Sequence, residues 1–134
     1  MAFEKMTFEP AAWGPAVEGW LHQISDIDRH IEVIRERVDS GEYQALSILI
    51  DGRNVGVMIW SIENEPCGSV IVVNALAGMT LPGHDLTAAA LAFIKTTGRA
   101  VGAVALRFWT QRRGLVRKCE RHGMRAQYVM EGAL

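Results

Sequence analysis

Between residues 44 and 60 apolar and polar positions alternate with a period of two. Leu46, Ile48 and Ile50 interleave with Ala45, Ser47 and Leu49, Asp51-Gly52-Arg53-Asn54 supplies turn residues, and Val55-Gly56-Val57-Met58-Ile59-Trp60 resumes the run. This pattern predicts a β-hairpin. Glu63-Asn64-Glu65-Pro66 reads as a second turn, and residues 68–77 as a third strand, apolar on both faces and so interior to a sheet.

On either side of this meander the period lengthens. Residues 3–9, with Phe3 and Phe8, read as a first strand. Trp13, Val17, Trp20, Leu21 and Ile24 then fall at helical spacing, started by Glu9-Pro10 or Gly14-Pro15. A second helix is expected from near Asp26 or Asp28, either able to cap it, through Ile27, Ile31, Ile34 and Val38 to Ser40-Gly41. Beyond the third strand, residues 86–97 are alanine-rich and helical, stopped by Gly98, and residues 103–109 form a strand. Residues 111–122 form a short helix with Gly123 placed for its C-terminal cap, and residues 125–130 close as a strand. The fold class is α/β, a single mixed and mostly antiparallel sheet flanked by helices, in one domain over residues 1–134. The third strand and the strand at Ala103, joined by a helix, should be parallel neighbours, and ligands favour the C-terminal ends of such strands.

The loop Gly78-Met79-Thr80-Leu81-Pro82-Gly83-His84-Asp85 lies at such an end. Backbone N–H groups and the helix dipole converge there on one point, a natural anion site. Asp85 is also a good N-cap, worth about 1 kcal/mol, and its carboxylate competes with a phosphate for the same amides.

Composition changes the picture only modestly. A chain of 134 residues, 49% hydrophobic, can bury a core without disulfides or metals. The net charge of −1 conceals a basic C-terminal third, where Arg99, Arg107, Arg112, Arg113, Arg117, Lys118, Arg121 and Arg125 face only Glu120 and Glu131. No aromatic residues interleave the basic helix, so it reads as a solvated face rather than a nucleic-acid surface. His22, His30 and His122 share no ligand spacing, and no metal is expected. Cys67 and Cys119 form no disulfide framework, and no apolar run approaches the roughly 20 residues a membrane helix needs, so a soluble, cytoplasmic protein is expected. Trp13, Trp20, Trp60 and Trp109 are core or edge aromatics, or mark an interface with a protein partner or a second copy.

Several residues are candidates for chemistry. Glu63 and Glu65 could deprotonate an amine through water, or be solvated turn residues. Asn74 interrupts an apolar strand and needs a partner, as a site residue or a satisfied core group. His84 is a loop base or simply exposed. Cys119 reads as a core thiol and Tyr128 as packing with a wet hydroxyl, or as a general acid.

The order of elements and the hairpin Ile48-Leu49-Ile50-Asp51-Gly52-Arg53-Asn54-Val55-Gly56 resemble the GCN5-related N-acetyltransferase (GNAT) family over nearly the whole chain. So does the ending, from Leu106-Arg107-Phe108-Trp109 through Leu115, Cys119 and His122-Gly123-Met124 to Tyr128-Val129-Met130. The resemblance implies acetyl-CoA as cofactor, its acyl arm against the backbone of Val73, Asn74, Ala75 and Leu76. The pyrophosphate would lie on amides around Gly83, His84, Asp85 and Leu86, near Arg112. A small-molecule or protein amine would attack directly, with Glu63 as base and Tyr128 as acid. Against the family's loop, Gly83 matches the first glycine, Thr80 replaces Arg or Gln, and Asp85 replaces the final Gly or Ala. Arg112 replaces the common asparagine and Cys119 the common tyrosine. Asp85 therefore predicts weak acetyl-CoA binding unless a cation such as Arg112 or Arg113 offsets it. The alternative is a degenerate GNAT-like structural or interaction protein, of the kind found among bacteriophage and prophage proteins, in a virion or host cytoplasm.

Overall fold

The computed structural model describes residues 5–79, 81–110 and 112–134. Phe3, Thr80 and Gln111, which figure in the sequence-based expectations, lie outside them. Five strands form one sheet in the order β1 (Met6–Pro10), β2 (Gln44–Ile50), β3 (Arg53–Glu65), β4 (Gly68–Gly78) and β5 (Ala105–Arg107). The first four pair antiparallel, and β4 pairs parallel with β5, as the helix between them requires.

The hairpin turns on Asp51 and Gly52, both with positive φ (49° and 80°), the geometry whose twist matches its strands. β3 is longer than its alternation suggested. It carries Glu63, Asn64 and Glu65 into the ladder opposite Val70, Ser69 and Gly68, so Glu63 is a strand residue and the turn shrinks to Pro66-Cys67. Once β4 offers partners, the ladder outweighs the turn preference of the polar residues.

Helices α1 (Pro15–Leu21) and α2 (Ile31–Asp39) cover one face, where Val17, Leu21, Ile31 and Ile34 pack on Ala45, Val57, Ile59 and Ala75. Pro15 opens α1, as expected of Gly14-Pro15, and Ile24 lies beyond its end. Neither aspartate caps α2. Asp26 sits in the left-handed region and starts a 3-10 turn, Ile27–Arg29, the Asp28 carboxylate lies 3.1 Å from His22 Nδ1, and α2 begins only after His30.

Helix α3 (Leu86–Ala100) covers the other face, with Ala90 and Ile94 on Ile48, Met58 and Ile71, and Phe93 stacked on Phe8 at 4.5 Å. Gly98 does not stop it. It is buried inside α3, where an added Cβ would meet Ile71 Cγ2 at 3.2 Å, so it lets the helix approach β4 closely. The helix ends instead at Gly102, whose N–H and that of Ala103 donate to the carbonyls of Arg99 and Gly98.

Helix α4 (Arg113–Arg121) closes with the same device. Gly123 (φ 86°) donates to Glu120 O at 3.0 Å and Met124 to Cys119 O at 3.1 Å. The expected strand over residues 125–130 does not form; the chain there is exposed and unpaired among the described residues. A strand exists only with a partner to share its ladder, and β5, shortened to three residues, does not take it up. No helix among the described residues is long and apolar enough to cross a membrane.

At the end of the sheet nearest α3, Gly56 faces Gly78. A Cβ on Gly56 would meet Ala77 O at 2.5 Å, and one on Gly78 would meet Leu86 Cδ2 at 2.9 Å. Gly56→Ala is expected to cost about 1–3 kcal/mol through overpacking against rigid backbone. Chemical denaturation checks this; an unchanged midpoint would mean that the strands separate there without strain.

Candidate functional site

The β3–β4 register holds one irregularity. Ile59 faces Ala75 and Trp60 faces Val73, which leaves Asn74 as an extra residue on β4. Such a bulge bends the strand that carries it. On its other side β4 pairs with β5 only through Val70, Ile71 and Val72. From Val73 onward the β4 edge has no strand beside it among the described residues, and the two strands part as a fork.

The bulge is pinned by side chains. Asn74 Nδ2 donates to Ser61 Oγ at 2.9 Å, and Ser61 is almost fully buried. Asn74 thus has its partner and also stands where the fork opens. On the opposite face of the sheet, toward α3, the Trp60 indole N–H is buried and has no acceptor among the described residues, an unmet demand that calls for an oxygen. Trp60 and Ser61 also line an open depression of about 300 Å³ with Gly41, Glu42, Gln44 and Ile62.

Beyond the bulge toward Glu65, the sheet carries charge. Arg107 on β5 grips Glu65 with both guanidinium nitrogens, the longer contact 3.1 Å, and its hydrogen bonds hold the Glu65 carboxyl below the usual range. That leaves Glu65 a clamp between β3 and β5 rather than a base. Glu63 is exposed, and its field reaches both Arg37 on α2 and Arg107. The Arg37 guanidinium also donates to the Tyr43 hydroxyl at 2.8 Å.

At the far end of β4 the chain crosses the loop to α3. Asp85 is the N-cap of that helix: Oδ1 accepts the Ala88 N–H at 3.0 Å. The same oxygen lies 2.7 Å from Lys118 Nζ on α4. The ammonium first, and then the Ala88 amide, hold the Asp85 carboxyl below the usual aspartate range. The cation that offsets this carboxylate is therefore Lys118, not Arg112 or Arg113, which are exposed and form no ion pair among the described residues. The N–H groups of Leu86 and Thr87 have no acceptor among the described residues. Gly83 (φ 77°) leaves open space where a side chain would stand, and the His84 N–H turns back on Leu81 O at 3.2 Å.

The structure thus gathers Val73, Asn74, Ala75 and Leu76 at the fork, and Gly83, His84, Asp85 and Leu86 at the helix start. Arg112 is the residue before α4 and donates its N–H to Thr110 Oγ1 at 3.0 Å. Tyr128 is 92% exposed in the C-terminal segment, so it packs against none of these groups. Cys119 is buried, and burial pushes its thiol up, away from the nucleophilic thiolate. Sequence reasoning did not identify Ser61, the Glu65–Arg107 clamp or Lys118 as partners. Only Ser61 left a signal, a small polar residue at an inward position of an apolar strand.

No protein-family model matches the sequence. No curated protein matches it in sequence. Solved structures match it in fold. Aminoglycoside N-acetyltransferase AAC(6')-Iy in complex with CoA superposes at a TM-score of 0.71, with 11% identity, over 99% of this chain and 97% of that one. The fold is that of the GCN5-related N-acetyltransferases. A transcriptional regulator from Bacillus halodurans C-125 shares this GNAT fold at a TM-score of 0.73, 11% identity and coverage of 97% and 99%. So does the ribosomal-protein-alanine N-acetyltransferase of Brucella melitensis biovar Abortus 2308, at 0.68, 14%, 97% and 98%. At such identities the likeness establishes the GNAT fold and leaves activity to the residues.

Because the Asp85 pKa is depressed in the folded protein, its contribution to stability is full above the ordinary aspartate range and is lost as pH falls through the folded value. Asp85→Ala is expected to cost about 1 kcal/mol at neutral pH, and Asp85→Asn, which keeps a capping oxygen, less. Thermal unfolding against pH should show the Asp85→Ala deficit shrinking below about pH 4. A deficit that persists unchanged in acid would show that the carboxylate charge plays no part.

Proposed function

We propose that this protein is an acetyl-CoA-dependent N-acetyltransferase. The observation that carries the reading is the edge of β4 released at Asn74, on the strand that leads through a loop to the start of α3. The residues present fit the cofactor. An extended, amide-bearing arm can pair with the free edge from Val73 to Leu76 as an added strand would. The unpartnered amides of Leu86 and Thr87, next to Gly83, suit a pyrophosphate. Lys118 neutralises Asp85, so the repulsion that this carboxylate would exert on a phosphate is largely removed.

Acetyl-CoA would supply a thioester carbonyl as electrophile. A neutral amine would take the acetyl group, a C–N bond replacing the C–S bond, with the proton lost by the amine passed through solvent or base and one proton taken up by the departing thiolate, which leaves as the thiol. The chain's own groups hold the reactants in place. The Trp60 N–H offers a preorganised donor on the α3 side of the sheet, and the Asn74–Ser61 pair fixes the bend that opens the fork. Glu42 and Glu63 lend negative charge to the side of the sheet that carries the depression, which favours a cationic amine. Glu63 lies three residues along β3 from Trp60, about 10 Å, so it receives a proton through water.

Titration calorimetry is the first test: acetyl-CoA should bind in the micromolar range, and Lys118→Glu should weaken binding about tenfold or more, close to 1.4 kcal/mol. No binding to the natural sequence would favour the degenerate interaction protein. With a panel of aminoglycoside, polyamine and peptide amines, Glu63→Gln should lower kcat/KM about tenfold without changing acetyl-CoA affinity. An unchanged kcat/KM would remove Glu63 as the base.

A further inference from the structure

The geometry points to a second binding site, for a neutral sugar ring, in the groove between α1 and α2. Pro15, Glu18, Gly19 and His22 follow one another at i, i+3, i+4 and i+7, so they form one stripe along α1. That stripe is turned away from Val17 and Leu21, which the core buries. With Trp13 before the helix and Arg35 on α2, it lines an open depression of about 490 Å³, larger than the one beside Trp60 and of a size that takes a small molecule.

Gly19 marks the floor. Glycine is the poorest helix former after proline, yet it stands inside α1 with no positive φ to require it. Close packing does not require it either, since a Cβ there would meet nothing within 4 Å. The missing side chain leaves bare backbone next to Trp13 and Pro15, an apolar surface against which a ring can lie.

The rim sets the chemistry. The Asp28 carboxylate, 3.1 Å from His22 Nδ1, only accepts, so this nitrogen carries the proton and in the neutral ring Nε2 is an acceptor. Glu18 Oε1 is a second acceptor 3.8 Å from Nε2, too far for the two groups to bond each other. Two acceptors side by side call for two donors. Arg35, held by Glu32, has guanidinium N–H groups to spare and calls for an acceptor. An ammonium ligand supplies donors only and is repelled by Arg35; a carboxylate or phosphate supplies acceptors only and is repelled by Glu18. Neighbouring hydroxyls on one ring meet both demands. Each donates its hydrogen to Glu18 or His22 and offers lone pairs to Arg35, while the C–H face of the ring covers Trp13, Pro15 and Gly19.

Amide and indole shifts of the full chain, titrated in turn with maltose, lactose and chitobiose, test the site. At least one disaccharide should give saturable changes at the Trp13 indole N–H, Gly19 and His22, with a Kd of about 1 mM or tighter. Gly19→Leu fills the floor where a side chain meets no atom, so it should abolish these changes while the unfolding midpoint holds or rises. Glu18→Ala should weaken binding about tenfold. No saturable change with any of the three sugars would overturn the proposal, as would binding that survives Gly19→Leu. Saturation of the same residues by lysine or putrescine, and not by the sugars, would overturn it as well.

Discussion

Between β4 and β5 the sheet is closed from Val70 to Val72 and released beyond, where β4 carries one residue more than β3, at Asn74. Much of the rest is arranged around that extra residue. The Asn74–Ser61 bond fixes it from within, where an unpaired amide would be costly. Glu65 and Arg107 clamp the closed half between β3 and β5. Gly56 and Gly78 keep β3 and β4 in close contact at the other end, so the opening falls on the β5 side. Gly98 then brings α3 down on Ile71, and that helix follows the released strand in the chain.

Charge is laid out with the same economy. Asp85 caps α3 and would, alone, set a negative charge beside the amides of Leu86 and Thr87. Lys118 turns it into one member of an ion pair. A second link, Lys95 Nζ to His122 O at 3.1 Å, ties α3 to the end of α4. Together they make α4 a support for the start of α3. Arg113, Arg117 and Arg121 follow one another at helical spacing on α4 and form no ion pair among the described residues, which is the solvated face the composition suggested.

Much of the fold was legible in the sequence. The alternation from Leu46 to Trp60 and the Asp51-Gly52 turn are local signals, and the structure follows them. Asp85 as N-cap and Gly123 as C-terminal cap are equally local and were equally legible. What was not legible depends on partners distant along the chain. Glu63 and Glu65 read as turn residues until β4 draws them into a ladder. Gly98 reads as a helix stop until Ile71 explains its missing side chain. Lys118 is separated from Asp85 by the whole of α3, by β5 and by the first half of α4, so no spacing rule could pair them. The segment at Tyr128 has the propensity of a strand, but propensity cannot supply the neighbour that a strand needs.

We propose that the edge opened by Asn74 and the start of α3 form one cofactor cleft. Amide chemical shifts recorded during a CoA titration test it most directly. Saturating changes concentrated at Asn74 to Leu76, the Trp60 indole N–H, Leu86 and Thr87 are the expected result. Saturable changes that cluster elsewhere, or none at all, would contradict the cleft.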